Sequence, residues 1–192
     1  TRGVAGRGYL PAPGVVPTRM LALFPGTPFP APQSESGVTV RLCRLRLSRQ
    51  PALAGIKHLN RLEQVLARSE WHDARIAEGI LRDEAGQLID GVISNLFVVR
   101  GGVVETPRLD QCGISGVMRA IVIELARSLS LHVTETRVER SLLFSANELF
   151  VCNSLIGLWP VREILSPIGR SFGATPVTRR LMQELAARDL AP

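Results

Sequence analysis

A mixed α/β chain of α+β character is what the sequence predicts, and three observations predict it. Short runs that read as strands outnumber helical stretches. Those strand-like runs crowd the middle of the chain and do not alternate regularly with helices, as a doubly wound sheet requires. Two later stretches carry apolar residues at helical spacing. With 192 residues, 45% hydrophobic and 21% charged, the chain is long enough for one domain with a real core, and it is not of disordered composition.

The elements follow in order. Residues 11–36 are rich in Pro, Gly and Ser, split by an apolar stretch from Met20 to Phe24 that reads as a strand. Residues 38–47 alternate as a strand should, and Gln50-Pro51 ends it. A helix is expected over 59–69, with Leu59, Leu62, Val65 and Leu66 on one face. Residues 76–81 read as a strand and 82–87 as a polar turn around Gly86. Strands over 94–100 and 103–106 meet at Gly101-Gly102, a hairpin signal. A helix follows Gly116 and ends near Leu129, with Val117, Ile121 and Leu125 in register. A strand over 132–138, a helical turn over 141–144 and strands over 148–152 and 158–164 come next. Residues 177–188 close the chain as an amphipathic helix with Leu181 and Leu185 on its apolar side.

Composition narrows the function. No apolar run reaches the roughly 18 residues a membrane-spanning helix needs, and the first residues lack a signal-peptide pattern, so a cytoplasmic protein with no membrane partner is expected. Cys43, Cys112 and Cys152 are widely spaced and form no CxxC pair, which speaks against a metal site and a disulfide framework. The formal charge is +6, but the arginines are spread along the chain and aromatics make up only 5%, so nucleic acid is not the expected partner. An anionic small molecule suits such basicity equally well.

Lysine usage is more telling. Of 23 Lys and Arg residues only one, Lys57, is a lysine. A coding bias toward Arg would spare lysine where chemistry demands a primary amine, because a guanidinium stays protonated and is not nucleophilic. A lone surface lysine is the alternative.

The segment around Lys57, Leu53-Ala54-Gly55-Ile56-Lys57-His58-Leu59-Asn60-Arg61-Leu62-Glu63-Gln64, resembles the lysine segment of aminodeoxychorismate lyases, pyridoxal-phosphate enzymes of fold type IV. Asp90-Gly91-Val92-Ile93-Ser94-Asn95-Leu96-Phe97 is similar to the E-x-x-x-x-N-L-F segment of that fold. Residues 106–111 followed by Gly113-Ile114-Ser115-Gly116-Val117-Met118-Arg119 resemble its cofactor-phosphate segment, and Cys152-Asn153-Ser154 a second phosphate-facing turn. Residues 1–9 resemble a strand and loop that contact substrate carboxylates. The motifs cover nearly the whole chain in the family's order. The lysine segment is the most specific; transaminases of the same scaffold share the others.

The resemblance implies a large domain of fold type IV over residues 1–192, with a residual N-terminal strand and without the small domain that precedes it in the family. It implies pyridoxal phosphate held covalently by Lys57, with Lys57 also the proton-transfer base. Asp90 stands where the family has Glu, as partner of the ring nitrogen; an Asp-Gly turn is the alternative reading. Asn95, Gly116, Val117, Met118 and Ser154 complete the cofactor set, the α-helix N-terminus at Gly116 offering N–H groups to the phosphate. Capping at Ser115 and an ordinary loop at Ser154 are the alternatives. Arg7 and Tyr9 are candidates for the substrate carboxylates, or a solvated loop. His58 and Arg61 either approach the cofactor or pack at the helix start. The reaction implied is conversion of 4-amino-4-deoxychorismate to 4-aminobenzoate and pyruvate, toward folate, in a homodimer. A branched-chain or D-amino-acid transaminase and a non-catalytic fragment keeping the fold stay open.

Overall fold

The computed structural model describes residues 3–4, 6–25, 32–165 and 168–191. Residues 1, 2 and 5 of the N-terminal motif and residues 26–31 of the proline-rich stretch lie outside them. Ten strands and five helices are seen among the described residues: α1 (Pro32–Ser36), β1 (Val38–Leu47), α2 (Leu62–Arg68), β2 (Ile76–Asp83), β3 (Gln87–Gly91), β4 (Asn95–Arg100), β5 (Val103–Pro107), α3 (Val117–Ser128), β6 (His132–Thr136), β7 (Val138–Glu139), α4 (Leu142–Ser145), β8 (Glu148–Asn153), β9 (Gly157–Ile164), β10 (Arg170–Ser171) and α5 (Pro176–Ala187). The strands order as β6-β5-β4-β8-β9-β1-β2-β3-β7, with β10 beside β9.

Strand β9 joins the two halves of this sheet. Its residues from Gly157 to Pro160 pair antiparallel with β8, and those from Val161 to Ile164 pair parallel with β1. The strands are apolar on both faces because each face meets a different core. From β4, Leu96 and Val98 enter one cluster with Val40, Ile80, Leu149 and Trp159. Phe97 and Val99 enter the other, with Met118, Val122 and Leu125 of α3 and Leu181 and Leu185 of α5. Phe97 and Phe150 face each other across β4 and β8, stacked with centroids 4.8 Å apart.

The mixed α/β fold class is as expected, and so are most central elements and the closing helix. Several readings need correction. Met20 to Phe24 form no strand: Leu21 and Leu23 are fully exposed and no neighbour supplies a ladder. Likewise no strand forms among the described residues of the N-terminal motif. Residue 87, expected in a turn, opens β3, so Asp90 lies inside a strand and not at a turn. Helix α2 begins at Leu62, with only Ala67 buried; Leu62, Val65 and Leu66 point outward and Leu59 precedes it, exposed. Apolar periodicity located that face but carries no information on what lies opposite it. In α3 the buried face runs through Met118, Val122 and Leu125, leaving Val117 exposed.

Candidate active site

Assembly of the site depends on one short segment, Gly113-Ile114-Ser115, between β5 and α3. It runs beside the lysine segment through a parallel bridge between Gly55 and Ile114. Gly55 N–H donates to Gly113 O and Ser115 N–H to Gly55 O, each at 3.0 Å. Two residues beyond Gly55, Lys57 is exposed. On its far side Arg61 Nε donates to His58 O at 2.8 Å, and Glu63 Oε1 accepts from Ser48 N–H at 2.8 Å. Lys57 is therefore carried on a loop tied down on both sides, at Gly55 and, through Glu63, at Ser48.

The same segment reaches Asp90 and Asn95. Ile114 N–H donates to Asp90 Oδ2 at 3.1 Å, and Asn95 Nδ2 donates to Ile114 O at 2.7 Å. Asp90 is 1% exposed, and its Oδ1 is buried without a protein partner. Burial pushes the Asp90 carboxyl up to about 8, with the Glu78 charge adding to the rise and the Ile114 N–H and Arg61 opposing it. A buried carboxylate with one empty acceptor costs free energy unless a cationic donor meets it.

Gly116 caps α3 with extended dihedrals, no side-chain cap and no acidic residue in the first turn. The first N–H groups of α3, at Val117 and Met118, therefore end at an uncapped helix N-terminus suited to an anion. Gly116 must lack a side chain, because a Cβ there would stand 2.2 Å from Asn95 Oδ1. Asn95 pairs with Cys152 across β4 and β8, which brings the turn after β8 to the same edge. Asn153 Oδ1 accepts from Leu155 N–H at 2.8 Å and Ile156 N–H at 2.9 Å, while its Nδ2 donates to Ile93 O at 2.9 Å. Ser154 sits exposed on that turn.

Asp90, Asn95 and Gly116 are thus joined directly or through Ile114, and the Lys57 and Ser154 segments are tied to them. Arg7 and Tyr9 stand apart as exposed residues of the N-terminal segment. Sequence reasoning does not single out Asn153 or Ile114 as builders of the site. Both lie inside the family's motifs, but Ile114 acts through its backbone and leaves no side-chain signal.

Pyridoxal phosphate fits these residues. The orphaned Asp90 Oδ1 calls for a cationic N–H such as that of a protonated pyridine ring, and the uncapped α3 N-terminus calls for an anion such as phosphate. Lys57 is the only side-chain amine in the chain.

Comparison with known proteins agrees. The chain is 37% identical to aminodeoxychorismate lyase of Vibrio harveyi over 189 residues, which covers 96% of the chain and 69% of that protein. It superposes on the crystal structure of 4-amino-4-deoxychorismate lyase from Pseudomonas aeruginosa with a TM-score of 0.92 and 42% identity, over 97% of the chain and 68% of that structure. A more distant neighbour is the branched-chain amino acid aminotransferase from Escherichia coli, at TM-score 0.71 and 29% identity, over 78% of the chain and 52% of that structure. The family model of amino-transferase class IV matches residues 1–164, and the chain belongs to that family.

Proposed function

We propose that this chain carries the catalytic core of a lyase that converts 4-amino-4-deoxychorismate to 4-aminobenzoate and pyruvate with pyridoxal phosphate, a step toward folate. The observation that carries this reading is the agreement with the Pseudomonas aeruginosa lyase, which is deeper and more complete than that with the aminotransferase. The buried, half-partnered Asp90 supports the cofactor.

Pyridoxal phosphate supplies a sink for the electron pair left when the carbon bearing the amine loses its proton. Lys57 Nζ attaches the cofactor and moves that proton. Asp90 Oδ1 holds the ring nitrogen protonated through a charge-assisted bond, which deepens the sink. The Val117 and Met118 N–H groups and the Ser154 hydroxyl bind the phosphate. Asn95 holds the 114–116 backbone so that those N–H groups stay aimed. Arg7 and Tyr9 contact the substrate carboxylates; both side chains are exposed and so open to a ligand.

The protein acts as a cytoplasmic homodimer on this reading. No helix among the described residues is long and apolar enough to cross a membrane. The outward apolar residues Leu59, Leu62, Val65 and Leu66 offer a surface for a second copy to cover, which sedimentation checks. A transaminase on the same scaffold is the competing reading. Pyruvate formed from 4-amino-4-deoxychorismate with no keto acid added identifies the lyase; amino transfer that stops without a keto acid identifies the transaminase.

A further inference from the structure

Between Asp90 and Asn95 the chain bends through residues 92–94, and this bend is built on a side chain given no role above. Glu78 of β2 is 2% exposed. Its Oε1 accepts from Gly79 N–H at 2.8 Å and Val92 N–H at 3.1 Å; its Oε2 accepts from Ile93 N–H at 3.2 Å and Ser94 Oγ at 2.7 Å. Gly91, next to Asp90, leaves room for it: a Cβ there would stand 2.9 Å from the Glu78 carboxyl. All four donors are neutral, so they steady the negative charge without cancelling it. Burial pushes the Glu78 carboxyl up, and the four donors pull against it.

We propose that Glu78 is a positioning residue of the cofactor site: it holds the 92–94 bend against Asp90, and its charge stands behind Asp90 so that two carboxylates share in holding the proton of the ring nitrogen. The proposal rests on the reading of Asp90 as ring partner. The charges that act on Asp90 are those of Glu78 on β2 and of Arg61 and Glu63 at the start of α2; Arg61 draws its proton affinity down and the two glutamates push it up. Glu78 is faced by Asp90 and by Cys43 of β1, whose thiol burial pushes up to about 12, which keeps it neutral. The field at the ring nitrogen is thus set by two carboxylates from different strands.

The test uses Glu78→Gln in the full chain. Gln keeps an acceptor for Gly79 and Val92 N–H and offers a donor to Ser94 Oγ, but leaves Ile93 N–H without its acceptor. In the cofactor-free protein, carbon-13 NMR of the carboxyl groups should show the Asp90 midpoint falling by on the order of one pH unit. Coupling is mutual, so Asp90→Asn should lower the Glu78 midpoint by the same amount, which keeps the test decisive if Glu78→Gln fails to fold. Absorbance titration with pyridoxal phosphate should show Glu78→Gln binding roughly tenfold more weakly than the parent between pH 6 and pH 9. Ser94→Ala, which loosens the bend and keeps the charge, should not reproduce that loss. Unmoved midpoints in both variants would overturn the proposal; the same loss in Ser94→Ala would overturn the part given to the Glu78 charge and leave Glu78 as holder of the bend. Midpoints that move while cofactor affinity does not would overturn the assignment of Asp90 to the ring, and this proposal with it.

Discussion

The backbone N–H of Ile114 donates to Asp90 Oδ2 at 3.1 Å and leaves Asp90 Oδ1 buried without a protein partner. One carboxylate oxygen thereby fixes the segment leading into α3, and the other is free for a ligand. Two elements distant in sequence are set together by a single bond, and Asp90 and the α3 N-terminus share one support.

This arrangement has a pH signature. Below the ordinary Asp pKa of 3.8 the carboxyl is protonated in folded and unfolded chains alike, and burial costs nothing. As pH rises toward 8, the unfolded chain releases the proton and the folded chain keeps it, so stability falls through that window. The buried Glu78 acts in the same direction. Denaturant titrations of the cofactor-free protein at pH 4 to 8 should show this decline, and Asp90→Asn should flatten part of it. In the loaded protein the same variant should lower turnover by on the order of a hundredfold, with a smaller loss of cofactor affinity. Full turnover would mean that the buried carboxylate serves only Ile114.

Gly116→Ala tests the phosphate end. The backbone there is extended and accepts alanine, so conformation is not the obstacle. The obstacle is Asn95 Oδ1, 2.2 Å from the added Cβ. Asn95 cannot retreat without losing its 2.7 Å bond to Ile114 O. Overpacking of this kind costs about 1–3 kcal/mol. Thermal unfolding should reveal it, and pyridoxal phosphate should bind more weakly even where the variant is fully folded.

Asn153→Ala removes three side-chain bonds at once, two to the turn carrying Ser154 and one to Ile93 O. The turn then loses its link to the bend beside Asp90. We expect a stability loss of about 1–2 kcal/mol and cofactor affinity reduced by more than Ser154→Ala alone causes. Equal affinities in the two variants would show that Ser154 holds its place without Asn153.

The sequence disclosed these features unequally. Lys57 stood out because it is the one lysine among 23 Lys and Arg residues. The strands of β4 and β8 were legible from their apolar runs, but the division of Leu96 and Val98 from Phe97 and Val99 between two cores was not, since both faces read alike. Asp90-Gly91 has the composition of a turn, and only its pairing partner, β2, makes it a strand. Glu78 sits in a short strand-like stretch where a glutamate ordinarily faces water; its burial depends on Gly91 and residues 92–94, which are not its neighbours in sequence. The outward face of α2 was legible as apolar, but whether such a face is covered depends on what packs there.

Lys57 is proposed to bear the cofactor. Borohydride reduction of the loaded protein, followed by peptide mass mapping, tests it most directly. One modified side chain is expected, in the peptide containing Lys57, and no side-chain modification or turnover in Lys57→Arg, whose guanidinium keeps the charge but not the nucleophile. A loaded Lys57→Arg protein that still turned over substrate at the parent rate would contradict it.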